Sequence, residues 1–220
     1  AETAPEKAGE YTVKVSVAAT AEWKACDKTF DFTIAKKELT ARASKEYDGT
    51  DAIANVILDG VCEGDDVSAS ITMASKNVGA TVKEVMLAGA EKDNYTLSAS
   101  GVNASITAKA LTASASKVYD GTNTIPDVIP DGVREGEEVK VIIFMASKNV
   151  GASVTSLLLE GADKDNYKIE QANVTASITP IVITVEWGKE YDNSNIFTGE
   201  PTKLLEGDEV TVTVTMESAN

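Results

Sequence analysis

Polar and apolar residues alternate along much of this chain with a period of two, the signature of a strand with one wet face. The run from Val210 to Met216 keeps that alternation throughout, valine against threonine. Val67, Ala69, Ile71 and Met73 fall on one side of a second run, and Val139, Val141, Ile143 and Met145 on one side of a third. Near the start, Tyr11, Val13, Val15 and Val17, then Phe30, Phe32 and Ile34, do the same. Valine and threonine dominate these runs, and branched β-carbons suit a pleated surface better than a helix. Turn residues interrupt them at Asp48-Gly49, Asp59-Gly60, Glu63-Gly64, Asn77-Val78-Gly79 and Asp131-Gly132. No amphipathic helix longer than a turn or two is predicted. The expected fold class is all-β: tandem small β-sandwich modules in an elongated array, each a thin core between short strands.

The alternation is itself repeated. Residues 39–110 realign on 111–182 without a gap at an offset of 72, and about 41 of the 72 positions are identical. Met73 to Ala80 recurs letter for letter as Met145 to Ala152. Tyr47-Asp48-Gly49-Thr50 recurs as Tyr119-Asp120-Gly121-Thr122 and, altered, as Tyr191-Asp192-Asn193-Ser194. Lys92-Asp93-Asn94-Tyr95 recurs as Lys164 to Tyr167. Residues 183–220 repeat the front of the unit, with Glu206-Gly207-Asp208 matching Glu63-Gly64-Asp65 after one deletion. Residues 1–38 read as a diverged back half, because Ile34 is in phase with Ile106 and Ile178, and Trp23 with Tyr95 and Tyr167. The organisation expected is therefore half a unit (1–38), two whole units (39–110 and 111–182) and half a unit (183–220). A permuted frame of three units cut near the Asn-Val-Gly turns competes with it.

The shared motifs have structural explanations. Asp48-Gly49 supplies a turn with positive φ, and Asn193 in place of Gly121 fits because asparagine tolerates that conformation. Tyr47, Tyr119 and Tyr191 are expected to pack a ring beneath the turn. Asp93-Asn94-Tyr95, opening a strand, resembles a tyrosine corner, whose phenol bonds back to nearby backbone.

Composition narrows the chemistry. Twenty lysines and arginines face 35 acids, a net charge of −15. A field of that sign repels phosphate backbones and anionic headgroups, so neither nucleic acid nor a membrane surface is an expected partner. The chain has no histidine, which removes imidazole-based nucleophile systems and imidazole zinc sites. No apolar run approaches the roughly 20 residues of a membrane helix, so no membrane insertion is expected in this segment. Cys26 and Cys62 sit at unrelated places in the repeat. They are expected to be unpaired thiols behaving as small apolar residues, with a Cys26–Cys62 bridge as the alternative. Asp65-Asp66, Glu137-Glu138 and Asp208-Glu209, with Asp163 and Asp165, raise calcium, but no spacing matches an EF-hand loop and solvated turns are the simpler expectation. The chain opens Ala1-Glu2-Thr3-Ala4 without a basic or apolar leader segment, so any export signal is expected to be removed or to lie outside this sequence. No catalytic, cofactor-binding or metal-ligating residue is assigned, no cofactor is expected, and an enzyme is not.

One set of motifs carries a family resemblance. Lys117 to Thr122, Gly60-Val61 with Glu63 to Val67, Ala74 to Gly79, Gly89 to Tyr95 and Ala104 to Thr107 together resemble the YDG-type repeat domain. The resemblance covers both full units and the front of the third, where Asn193 and Ser194 depart from it. Ala8 to Val13 and Thr29 to Ile34 resemble the tail of a bacterial Ig-like or MBG-type module. What this implies is an Ig-like, non-catalytic repeat of secreted or wall-attached bacterial proteins, adhesins included, placed outside the cell.

The function expected is a stalk or adhesin module for cell adhesion or presentation, its partner a host or cell-surface protein or glycan. Acidic, lysine-bearing surfaces keep such tandem units soluble. The alternative is a carbohydrate-binding module. Sugar shelves need exposed aromatic faces, and Trp23 and Trp187 are the candidates, although the phase of Trp23 predicts core or edge packing. The split half-units also predict head-to-tail self-association, because unpaired strand edges recruit strands.

Overall fold

The computed structural model describes residues 4–185, 190, 193 and 204–210. Among them every extended element is a strand, and helical structure is confined to 3-10 turns at Lys92–Asn94, Ala99–Gly101 and Lys164–Asn166. The chain is all-β, as the alternation requires. Trp187, Tyr191, Asp192, Ser194 and Thr211 to Met216 lie outside the described residues.

The chain divides into two compact units, Ala1–Lys109 with Asp165–Tyr167, and Ala110–Lys164 with Lys168–Asn220. In the first unit, β1 (Gly9–Val17) and β2 (Cys26–Ile34) form an antiparallel hairpin. Next come β3 (Lys37–Glu38), β4 (Thr40–Glu46), β5 (Ala52–Ile53), β6 (Val56–Asp59), β7 (Ser68–Met73), β8 (Val82–Ala88), β9 (Tyr95–Thr96) and β10 (Val102–Thr107). They build two three-stranded sheets, ordered β10-β4-β6 and β5-β7-β8, and a short parallel pairing of β3 with β9. The chain changes sheet at Ala54-Asn55, between β5 on β7 and β6 on β4. Inward positions alternate as expected: Ala69, Ile71 and Met73 of β7 are buried, with Ala41 of β4, Ile53 of β5 and Ile106 of β10. Val67 is half-buried.

The second unit holds β11 (Lys109–Val118), β12 (Thr124–Val128), β13 (Lys140–Met145), β14 (Val154–Glu160) and β15 (Tyr167–Thr179). Its sheets are β11-β15 and β12-β13-β14. One cluster joins them, made of Ala113, Ile125, Val141, Ile143, Met145 and Ile178. This is the two-layer arrangement in which each sheet hides its apolar side against the other.

Two glycines carry a backbone approach that no other residue permits. Gly89 and Gly161 follow β8 and β14 with φ of 108° and 110°. A Cβ at either would stand 2.1 Å from a carbonyl oxygen, that of Asp66 or Glu138. The repeated Gly-Ala step is thus fixed by contact with the strand-opening acidic turn.

Candidate functional site

The most strongly repeated polar group is a lock around the Tyr-Asp-Gly-Thr turn. Lys45 sits on the inward side of β4, in phase with buried Ala41, so its stem covers the end of the core and its ammonium emerges at the turn. It donates to Asp48 Oδ1 at 2.7 Å, to the Thr50 carbonyl at 2.7 Å and to Thr50 Oγ1 at 2.6 Å. Asp48 Oδ1 also accepts from the Thr50 amide at 2.9 Å and hydroxyl at 2.8 Å. Lys117 repeats the three bonds at 2.6, 2.9 and 2.6 Å with Asp120 and Thr122. In both copies the lysine, followed by the threonine amide, holds the aspartate carboxyl down to about 2. Gly49 and Gly121 take φ of 78° and 79°, and Asn193 takes 60°, the asparagine tolerance the sequence predicts. With three protein donors on each carboxylate, this arrangement shapes a loop.

Beneath the turn, Tyr47 is buried, and its ring meets Tyr167 edge-on at 5.5 Å within the first unit. Tyr119 is only half-buried. Its hydroxyl donates to Asp208 Oδ1 at 2.8 Å, and Lys148 Nζ stands 5.7 Å above its ring. The Tyr119 hydroxyl, then Asp208, hold the Lys148 ammonium above the usual lysine range.

Tyr95 opens a strand as expected, but the tyrosine corner expected of it is corrected, because its phenol has other partners. Tyr95 is buried, accepts from the Cys62 amide at 2.9 Å and donates to the Asp65 carboxylate. The backbone it reaches lies 33 residues upstream, in the acidic turn between β6 and β7, rather than nearby in sequence. The Asp65 carboxylate pushes the Tyr95 phenol up to about 12, because a phenolate there would face a second anion.

Sequence reasoning missed the asparagine preceding that tyrosine. Within the first unit, Asn94 Oδ1 accepts from the Ala8 amide at 3.0 Å, and Asn166 Oδ1 accepts from the Val78 amide at 3.0 Å. Asn166 is buried, and its Nδ2 reaches Asn77 Oδ1 at 3.3 Å. The available signal was the recurrence of two blocks in both repeats, Asn77-Val78-Gly79 as Asn149 to Gly151 and Lys92 to Tyr95 as Lys164 to Tyr167.

The paired acids lie in turns that are held through their backbone amides. The Asp66 amide bonds Glu91 Oε2 at 2.9 Å, and the Glu138 amide bonds Asp163 Oδ2 at 2.9 Å. Among the described residues no three of Cys, Asp and Glu converge as metal ligands. The thiols are unpaired, but both are exposed rather than packed as small apolar residues. Cys62 lies beside Lys37 Nζ at 3.6 Å, and Cys26 closes the outer end of the hairpin opposite Val17. Trp23 corrects its predicted packing. It is 72% exposed in the β1–β2 loop, because the hairpin lacks the surroundings that bury Tyr95 at the matching phase. An open groove of about 770 Å³ crosses the outer face of β10-β4-β6, with Arg42, Ser44, Ile57, Asn103 and Ser105 in its lining.

The YDG domain family model matches residues 12–108 and again residues 102–176, the two spans sharing β10. The comparison with curated proteins finds no match, and the comparison with solved structures finds none.

Proposed function

The chain belongs to the YDG domain family, and from that premise we propose a non-catalytic extracellular repeat of a bacterial surface protein, a stalk or adhesin module. The observation that carries this reading is the identical lysine–aspartate–threonine lock in both repeats, where the shared polar groups serve the module's own shape. A tandem array gains reach by adding such units, and its contacts with a host or cell-surface protein or glycan come from loops between strands. A net charge of −15 keeps the array dispersed.

Antibodies against residues 39–182 are expected to label intact source cells, and beads coated with the chain to adhere to a host-cell or matrix surface. Labelling only after lysis overturns the extracellular placement. Beads that attach no better than albumin-coated ones overturn the adhesive role. The exposure of Trp23 favours a second reading, a carbohydrate-binding module. Glycans that quench tryptophan fluorescence in the native chain and not in Trp23→Ala select it.

A further inference from the structure

Three acidic turns of the chain are built alike. In each, the amide of an acid closes the turn on an earlier carbonyl: Asp65 on Cys62 at 3.2 Å, Glu137 on Arg134 at 3.2 Å and Asp208 on Leu205 at 3.1 Å. The glycines before those acids, Gly64, Gly136 and Gly207, take φ of 92°, 82° and 88°. Leu205 to Asp208 therefore fold as the acidic turn of a third repeat, as their phase requires.

That third turn has partners in the repeat before it. Within the second unit, Asp208 Oδ1 accepts from the Tyr119 hydroxyl at 2.8 Å and from Lys148 Nζ at 3.4 Å. Lys148 also stands over the Tyr119 ring, so ammonium, phenol and carboxylate close a triangle. Beside them, a Cβ on Gly121 would lie 3.3 Å from Leu205 Cδ1. The side chains of Lys148 and Asp208 are 47% and 22% exposed, so the ion pair alone contributes little. The phenol bond and the half-buried leucine give the contact its direction.

The second repeat makes these contacts with its most strongly repeated motifs. Tyr119 and Gly121 belong to the Tyr-Asp-Gly-Thr turn that Lys117 fastens, and Lys148 to the block that recurs letter for letter. Ser147 Oγ accepts from the Asn149 amide at 3.2 Å, which fixes the bend that carries Lys148. The acid can serve two neighbours at once, because a carboxylate offers two accepting oxygens. Asp65 takes the tyrosine of its own repeat on one, and Asp208 takes the preceding repeat on the other.

We propose that Tyr119, Gly121 and Lys148 form a docking surface for the acidic turn of the following repeat, Leu205 to Asp208, so that the motifs shared by the repeats join successive units. The lock of Lys117, Asp120 and Thr122 shapes one side of the joint, and the closing bond of the acidic turn shapes the other. Asn193 departs from this surface. It keeps the left-handed turn with φ of 60°, but it carries a side chain where Gly121 leaves space for Leu205. The joint is a property of tandem units wherever the protein resides, so it and the extracellular reading can fail separately.

Amide hydrogen exchange of the whole chain tests it, read as the protection of the amide at position 208 over its intrinsic rate. Gly121→Asn keeps the turn and fills the space beside Leu205, and it is expected to lower that protection about tenfold. Lys148→Glu sets a like charge against Asp208 and is expected to lower it at least about threefold. Combining Lys148→Glu with Asp208→Lys is expected to restore most of the loss, which a merely structural role for Lys148 would not. Unchanged exchange along β13 in each variant separates lost docking from lost folding. A position-208 amide that exchanges at its intrinsic rate in the wild-type chain overturns the proposal. So does protection that Lys148→Glu leaves intact, or a charge exchange that restores nothing.

Discussion

Residues 39–110 and 111–182 are close enough in sequence that their differences read as an experiment. In the first repeat the chain crosses from β5 to β6 and adds a third strand to β4, pairing Thr40 with Asp59 through Ala43 with Val56. In the second repeat the same stretch remains on β13 as far as Val128, and only the bridge between Thr112 and Asp131 survives of the third strand. Pro126, Asp127 and Pro130 stand where the first repeat has Ala54, Asn55 and Leu58. Asp127 adopts φ of 55° at a bulge, and its carboxylate meets Lys140 Nζ at 2.9 Å, which holds Val128 against β13. Thr112 and Asp131 exchange both backbone bonds, so the nitrogen of Pro130 faces away from β11, where proline is tolerated at a sheet edge.

A second difference lies in the last strand. Ser98 to Gly101 break the first repeat into β9, a 3-10 turn and β10, whereas Glu170 to Asn173 let β15 run unbroken. A Cβ at Gly101 would come within 3.2 Å of the Leu39 carbonyl oxygen, so the interrupted path brings backbone closer to the start of β4. What varies between the copies is how the outer strands are routed. The buried isoleucine and methionine of the central strand, Ile71 with Met73 and Ile143 with Met145, and the locks at the turns do not vary.

The strongest way to break this comparison is at the shared glycines. Gly89→Ala and Gly161→Ala should each destabilise their own repeat by about 3 kcal/mol or more, because both the positive φ and the carbonyl contact resist a side chain. Thermal melts of the two variants are expected to fall together; a large loss in only one would mean that the acidic turns pack differently.

Emptying the central row comes next. Ile71→Ala and Ile143→Ala, at fully buried matching positions, should cost about 2–5 kcal/mol each by urea denaturation. A cost in the second repeat well above that in the first would show that the missing third strand leaves its core less able to relax.

Restoring the first repeat's residues sharpens the contrast. The combination Pro126→Ala, Asp127→Asn and Pro130→Leu should let residues 128–131 move onto β11, gaining about 1 kcal/mol. The Ile129 amide is then expected to exchange at least about tenfold more slowly. An unchanged exchange rate would place the cause in Lys140 or elsewhere.

The smallest effects are those of pH. Tyr95 has its folded pKa raised to about 12 from 10.0, so its contribution is complete below pH 10 and is lost as pH rises toward 12. Tyr95→Phe should lower the melting temperature by a few degrees and remove that alkaline dependence. Asp48 and Asp120 have folded values of about 2 against 3.8. Their contribution is present above pH 3.8 and fades as pH falls toward 2, equally in both repeats. Both carboxylates are exposed, so water screens the pairs and the loss is slight.

Much of this was legible beforehand. Val139, Val141, Ile143 and Met145 are all buried as their alternation predicts, because a pleated strand sends every second residue to one face. Asn193 marked a left-handed turn because it stands where the repeats have Gly49 and Gly121. The partners of Tyr95 were not legible, since bonds to Cys62 and Asp65 depend on where the acidic turn comes to rest. The exposure of Trp23 was misread for the same reason: phase locates a residue in the repeat, and burial requires the rest of the repeat around it.

The sequence by itself determined the all-β class, the 72-residue period and the inward row of each long strand, because these follow from local alternation and from turn residues that few substitutes can replace. The tertiary structure decided which sheet residues 56–59 and their counterparts at 128–131 join, which amide each asparagine holds, and that Trp23 stays exposed. Those outcomes turn on contacts between segments distant in the chain, where a bulge, a proline or one ion pair shifts a balance that no local pattern records.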